Sequence, residues 1–228
     1  MYWVVLRNIS GSNVTISSWT APSPPPPPPV QDYYWTATDG YTVNATLYDD
    51  GHYLTFSPNP GDIGNAIFVR SKEIIVGKRY CEFEVTVAAT NAYVSFGVTK
   101  QVVDVFYNAG SGNIMTGSNG CGLAQQGTYN NGSATSSDPK YNFGVGDRIG
   151  IALDATTKNM WISKNGTWLD GDPNTLTSPT MTVAVAGDLY FYNSHYTCFS
   201  PGTKTCYIYP SAAQQTYAAP TGFVPYAS

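Results

Sequence analysis

The sequence predicts an all-β fold, an antiparallel sandwich of two facing sheets, and three observations lead to it. Apolar and polar residues alternate with a period of two through successive runs from residue 33 onward. Turn signals such as Asn165-Gly166 and Asp170-Gly171-Asp172-Pro173 separate those runs at the spacing of a sandwich or barrel. No stretch shows a helical period, and only 11% of the 228 residues are charged, against about 25% in an average soluble domain. With 42% hydrophobic residues the chain can bury one sandwich-sized core plus an appendage. A second full domain is not expected.

The appendage comes first. Residues 1–20 hold two short runs rich in β-branched and aromatic residues, Trp3 to Ile9 and Val14 to Trp19, separated by Ser10-Gly11-Ser12-Asn13. The pattern predicts a hairpin. Two strands alone are only marginally stable in water, so the hairpin needs a surface to pack on. Tyr2, Trp3, Val5, Ile9, Val14, Ile16 and Trp19 are the candidate anchor residues. Residues 21–30 follow, with Pro22-Ser23-Pro24 and an unbroken proline run to Pro29. Lacking amide donors and fixed in φ, that run is expected to form a polyproline helix, a semi-rigid spacer on the order of 20 Å long. A tether with an anchor at one end implies a homo-oligomeric or multi-copy assembly.

Residues 31–228 make up the sandwich domain. In Tyr80-Cys81-Glu82-Phe83-Glu84-Val85-Thr86-Val87, the set Cys81, Phe83, Val85 and Val87 points inward and Tyr80, Glu82, Glu84 and Thr86 outward. The same parity puts Val94, Phe96 and Val98 in the core, then Ile149, Ile151 and Leu153, then Met160 and Ile162. Gly146-Asp147 turns the chain into a core strand, and Lys164-Asn165-Gly166 supplies the positive φ that a tight hairpin demands.

Several of these runs, in this order, resemble the SPRY family, a concanavalin-like β-sandwich (jelly roll) used for protein or glycan recognition. The likeness is carried by Gly77-Lys78-Arg79-Tyr80-Cys81-Glu82-Phe83-Glu84-Val85 and by Val94-Ser95-Phe96-Gly97-Val98. Its most specific part is Gly146-Asp147-Arg148-Ile149-Gly150-Ile151-Ala152-Leu153-Asp154 with Asn159-Met160-Trp161-Ile162-Ser163-Lys164-Asn165-Gly166-Thr167-Trp168. Ala219-Pro220-Thr221-Gly222-Phe223 is similar to the family's closing motif. The resemblance covers residues 40 to 226 and weakens over 101–145, a Gly, Asn and Ser-rich insertion. Its low-charge, Asn-rich style is similar to family members in tailed-bacteriophage particles.

Chemistry is sparse. His52 and His195 are remote in sequence and belong to no motif, and no GxSxG elbow is present. Glu82 and Glu84 share one face of a strand, about 6 to 7 Å apart, within the range of a glycosidase pair. Charges so spaced more often mark a solvated face, and no further acid follows. Asp49, Asp50 and Asp147 show no calcium-ligand spacing. The expectation is therefore a protein that is not an enzyme and needs no cofactor and no metal. Cys198 and Cys206 flank Ser200-Pro201-Gly202-Thr203 and could face each other on a hairpin, which leaves a disulfide and two thiols both open.

Surface aromatics remain. Many of the eighteen tyrosines lie in turn-rich segments, where they could stack on sugars or pack at an interface with Asn supplying hydrogen bonds. The candidate ligand-binding residues are Tyr107, Tyr129, Asn130, Asn131, Trp168, Tyr192 and Tyr196. A net charge of −4 argues against nucleic acid. No run reaches the length needed to span a bilayer, and the apolar start at Trp3 to Leu6 lacks a signal peptide's basic flank. The functional expectation is a structural virion protein of a tailed bacteriophage, made in the host cytoplasm and carried in the virion. Its N-terminal arm would hold other virion proteins, and its domain would face outward toward a host-surface glycan or protein. The alternatives are a lectin-like adhesin and, further off, a polysaccharide-degrading enzyme.

Overall fold

In this computed structural model the described residues are 35–37, 45–48, 53–56, 66–87, 92–100, 120–124, 127–131, 133–197 and 204–228. Gln31–Ser228 forms one compact unit. The expected hairpin, its anchor residues Tyr2, Trp3, Val5, Ile9, Val14, Ile16 and Trp19, and the proline spacer all lie outside the described residues.

The described strands are β1 (Trp35–Ala37), β2 (Ala45–Tyr48), β3 (Tyr53–Phe56), β4 (Ala66–Ser71), β5 (Lys78–Val87), β6 (Ala92–Lys100), β7 (Gly120–Ala124) and β8 (Gly127–Asn130). They continue with β9 (Ser133–Ser136), β10 (Arg148–Asp154), β11 (Asn159–Lys164), β12 (Thr167–Trp168), β13 (Met181–Thr182), β14 (Leu189–Thr197), β15 (Lys204–Tyr209) and β16 (Val224–Pro225). Sheet A runs β1-β4-β14-β6-β7-β8-β9 and sheet B runs β12-β11-β10-β5-β15-β3-β2, with β13 beside β11 and β16 beside β5. The predicted antiparallel sandwich is what forms.

Its core lies where alternation placed it. Cys81, Phe83, Val85, Val94, Phe96, Val98, Ile149, Ile151, Leu153, Met160 and Ile162 all pack in one buried cluster. Phe83 of sheet B bridges to sheet A, with its ring 5.1 Å from that of Phe96 and 5.8 Å from that of Phe191. The β11–β12 turn has the positive φ expected, 52° at Asn165 and 79° at Gly166. In the β10–β11 turn, Asp154 Oδ1 accepts from the amides of Thr156 and Thr157.

The outer face of β5 departs from expectation. Tyr80 and Glu82 are fully buried, not solvated. The cause lies more than 130 residues further on, since Thr216 and Tyr217 donate their amides to the Glu82 carboxylate. After β15 ends opposite Glu82, residues 210–223 leave the sheet as a strap across its outer surface. The chain returns as β16, pairing Val224 with Arg79 and Pro225 with Tyr80 on the part of β5 that β15 leaves open. The Ala227 amide bonds to the Pro210 carbonyl and closes the excursion. Under the strap, Phe223 meets Trp161 edge to face at 5.9 Å, in a cluster with Tyr80 and Ala152.

Cys81, Cys121 and Cys206 are buried. Cys198 lies outside the described residues, and with it the expected hairpin pairing to Cys206.

Candidate functional site

The site builds outward from two turns that fix the start of β10. Asp147 accepts from the Gly144 amide at 2.8 Å and from Asn165 Nδ2 at 2.7 Å. Asn165 Oδ1 in turn accepts from the Arg148 amide at 2.8 Å, and the Asn165 amide reaches the Arg148 carbonyl at 2.8 Å. Arg148 is thus gripped on both sides of its backbone. Register sets it opposite Glu84, with Glu82 opposite Gly150 and Tyr209.

The guanidinium lies 3.6 Å from the centroid of the Tyr209 ring. Its Nη2 is 3.1 Å from Glu84 and its Nε 3.7 Å from Glu82. Tyr209 donates its hydroxyl to Glu84 at 2.8 Å, and Tyr80 donates to Glu82 at 3.0 Å. Burial, and then the neighbouring glutamate, hold both phenols above the usual tyrosine range, so each stays a donor. Tyr207 stacks on Tyr209 with an interplanar angle of 13°. Every group has a partner except Arg148 Nη1, which is buried without an acceptor. Two carboxylates around one guanidinium leave an excess of negative charge.

This geometry does not suit the glycosidase alternative, because Glu82 is fully buried and occupied by two amides, a hydroxyl and a nearby guanidinium. Among the described residues, no group of three or more His, Cys, Asp or Glu could hold a metal ion.

The tyrosines singled out from the sequence fare differently. Tyr129 and Tyr192 are strand residues in β8 and β14 and are 7% and 2% exposed, packed together with Ala124. They are corrections, since neither can present its ring to a partner. Asn130 is also structural, because its Nδ2 donates to the Thr182 carbonyl and its Oδ1 accepts from the Ala184 amide and the Cys121 thiol. Asn131 is exposed in the β8–β9 turn at φ 50°. Trp168 is half-buried, edge-on to Tyr80 at 6.1 Å. Tyr196 sits in β14, its side chain outside the described residues, as is the whole of Tyr107. Trp168 therefore borders the Arg148 site, whereas Asn131 lies at the end of sheet A. Arg148, Tyr207 and Tyr209 were missed, although Tyr207-Ile208-Tyr209 shows the alternation that would have put both rings on one face.

A second polar cluster pins the short 3-10 turn Pro139–Tyr141 to the segment after β12. Asp170 receives Lys140 Nζ at 2.6 Å and the Tyr141 hydroxyl at 2.6 Å. Burial pushes the Asp170 carboxyl up, but these two donors outweigh it and hold the group below the usual carboxylate range. Its contribution is present above the ordinary carboxylate pKa and is lost as pH falls through the lowered value. Asp170→Asn should accordingly melt below the unaltered protein at neutral pH, with the gap in Tm closing in strong acid. A gap independent of pH would contradict the assignment.

Against known proteins, a family model described as the SPRY domain matches residues 79–200, more than half of the chain. The crystal structure of the SPRY domain of human HERC1 is 21% identical with a TM-score of 0.54, covering 72% of this chain and 93% of that one. The TRIM65 PSpry domain is 14% identical with a TM-score of 0.50, covering 78% and 90%. The stonustoxin structure is 13% identical with a TM-score of 0.50, covering 78% and 27%. At these identities the structures speak for the fold alone. No curated protein matches the chain.

Proposed function

This chain belongs to the SPRY family, and on that premise we propose that it is a binding module whose partner is a protein docking on the outer face of sheet B at Arg148, Glu84 and Tyr209. The observation that carries the reading is the Arg148 guanidinium held between Glu84 and the Tyr209 ring, with all three side chains only partly buried on that face. Arg and Tyr are also the side chains that most often anchor interfaces. The excess negative charge around Arg148 disfavours an anionic ligand.

The wider role we assign is that of a structural virion protein of a tailed bacteriophage. Support for it lies in the low-charge, Tyr- and Asn-rich composition and in the apolar run of residues 1–20 ahead of the proline tract. A lectin-like adhesin is the second reading, supported by the stacked pair Tyr207 and Tyr209 on the same face. Full-length Arg148→Lys, which keeps the charge but loses the fork and the stacking surface, should bind host-cell surfaces at least about tenfold more weakly while keeping its strand circular dichroism. Removal of residues 1–30 should abolish incorporation into particles. Unchanged affinity in the first experiment would exclude the Arg148 site, and normal incorporation in the second would exclude the virion role.

A further inference from the structure

The strap over sheet B has a loosely held stretch between two firm ends. From Ser211 to Ala219 no side chain is fully buried, whereas Pro210, Pro220 and Phe223 are. The Pro210 carbonyl is tied to the Ala227 amide, and the Thr221 amide donates to Asn174 Oδ1. Between these ends the main ties are polar. Gln215 Nε2 lies 3.3, 3.2 and 3.3 Å from the carbonyls of Tyr80, Tyr209 and Pro210, and the Thr216 and Tyr217 amides reach Glu82 at 2.9 and 2.8 Å. A stretch with so little buried apolar surface opens at a lower free energy than the core beneath it. Two routes join it to the Arg148 guanidinium. The Glu82 carboxylate that receives the strap amides also stands 3.7 Å from Arg148 Nε. A Cβ on Gly166 would lie 2.5 Å from two atoms of the Tyr217 ring, so that ring packs on the very turn whose Asn165 grips the Arg148 backbone.

We propose that residues 211–219 form a gate that sets the position of the Arg148 guanidinium and thereby switches the docking site proposed above, on which the consequence for binding rests. With the gate closed, Glu82 is satisfied by two amides and the Tyr80 hydroxyl. The guanidinium is then left to lie on the Tyr209 ring and meet Glu84 at 3.1 Å, in the arrangement a partner would find. With the gate open, Glu82 loses both amides. A carboxylate stripped of two donors draws a charged one closer, and Arg148 Nε is already within 3.7 Å. A shorter contact to Glu82 pulls the guanidinium away from Glu84 and off the ring. One carboxylate thus exchanges one donor set for another, and the exchange moves the side chain that the partner needs. Linkage makes the effect reciprocal, so a partner held at Arg148 keeps the strap down and release of the strap weakens the partner.

The test uses the full chain without a partner and reads two signals, hydrogen exchange of the Thr216 and Tyr217 amides and the side-chain Nε–H resonance of Arg148. Gln215→Glu sets a carboxylate against three carbonyls and removes the donor that pins the strap. It should raise exchange at Thr216 and Tyr217 at least about tenfold and shift the Arg148 resonance, with exchange at Ile151 in the core unchanged. Glu84→Gln removes the charge that holds the guanidinium outward and leaves the strap's own residues intact. It should raise the same two exchange rates at least about threefold, and it decides the matter even where Gln215→Glu disturbs the core. An opened strap beside an unmoved Arg148 resonance overturns the proposal, and so does strap exchange that Glu84→Gln leaves unchanged. Both variants should also bind host cells more weakly than the unaltered protein. Linkage in the free protein together with undiminished cell binding would remove the docking site and leave the gate standing.

Discussion

Gly97→Ala is expected to prevent the sandwich from folding. Gly97 in β6 pairs with Gly122 in β7, and the strands approach so closely there that a Cβ on Gly97 would overlap the Cys121 carbonyl oxygen and lie 2.8 Å from Gly122 Cα. All the atoms in the way are backbone. Overpacking against movable side chains costs about 1–3 kcal/mol, but here relief requires β6 and β7 to part, in the centre of sheet A. The loss should exceed about 4 kcal/mol, a large part of the 5–15 kcal/mol that holds an ordinary domain together. The reciprocal change, Gly122→Ala, meets the Phe96 carbonyl and should fail in the same way. The measurement is soluble yield and urea midpoint, and a near-normal midpoint for either variant would show that the strands are not so close.

Glu82→Ala should produce the second largest loss, about 3–5 kcal/mol, by a different mechanism. It leaves the Thr216 and Tyr217 amides and the Tyr80 hydroxyl without an acceptor, and it removes one of the two charges that balance Arg148. Glu82→Gln keeps the volume, yet its single carbonyl oxygen cannot serve two amides and a phenol, so an intermediate loss is expected. Both variants should loosen the strap before the sandwich. Chymotrypsin should then cut at Tyr217 or Phe223 while residues buried in the core stay protected. Equal protection of the strap in the variants and the unaltered protein would show that Glu82 does not hold it.

These two cases also show what could be read in advance. The core was legible because alternation is a local signal: Cys81, Phe83 and Val85 point inward by parity alone, whatever covers the opposite face. Parity could not say that Glu82, on that opposite face, is buried, since the strap that covers it lies 134 and 135 residues away. A carboxylate pair on a strand looks the same in sequence whether water or two amides solvate it. Tyr129 and Tyr192 misled for a related reason. Their surroundings look turn-rich, but both fall within strands of sheet A and pack against each other there, over a part of the sheet where Gly97, Gly120 and Gly122 raise no side chains to displace them. The Arg148 site was hidden because its members come from β5, β10, β15 and the strap, and only the register of sheet B brings them together.

The manner in which β5 is completed bears on how quickly the protein reaches its native state. The central strand of sheet B takes its neighbours from β10, from β15 and finally from β16, and the last of these contacts spans 145 positions, from Tyr80 to Pro225. Each such contact must overcome a long closure entropy before it returns any energy. The search should therefore be slow, in the millisecond-to-second regime of β-sandwiches with high contact order. Until its C-terminal neighbours arrive, the nascent sheet exposes half an unpaired ladder and the uncovered rings of Tyr80 and Trp161, so aggregation competes with folding over that interval.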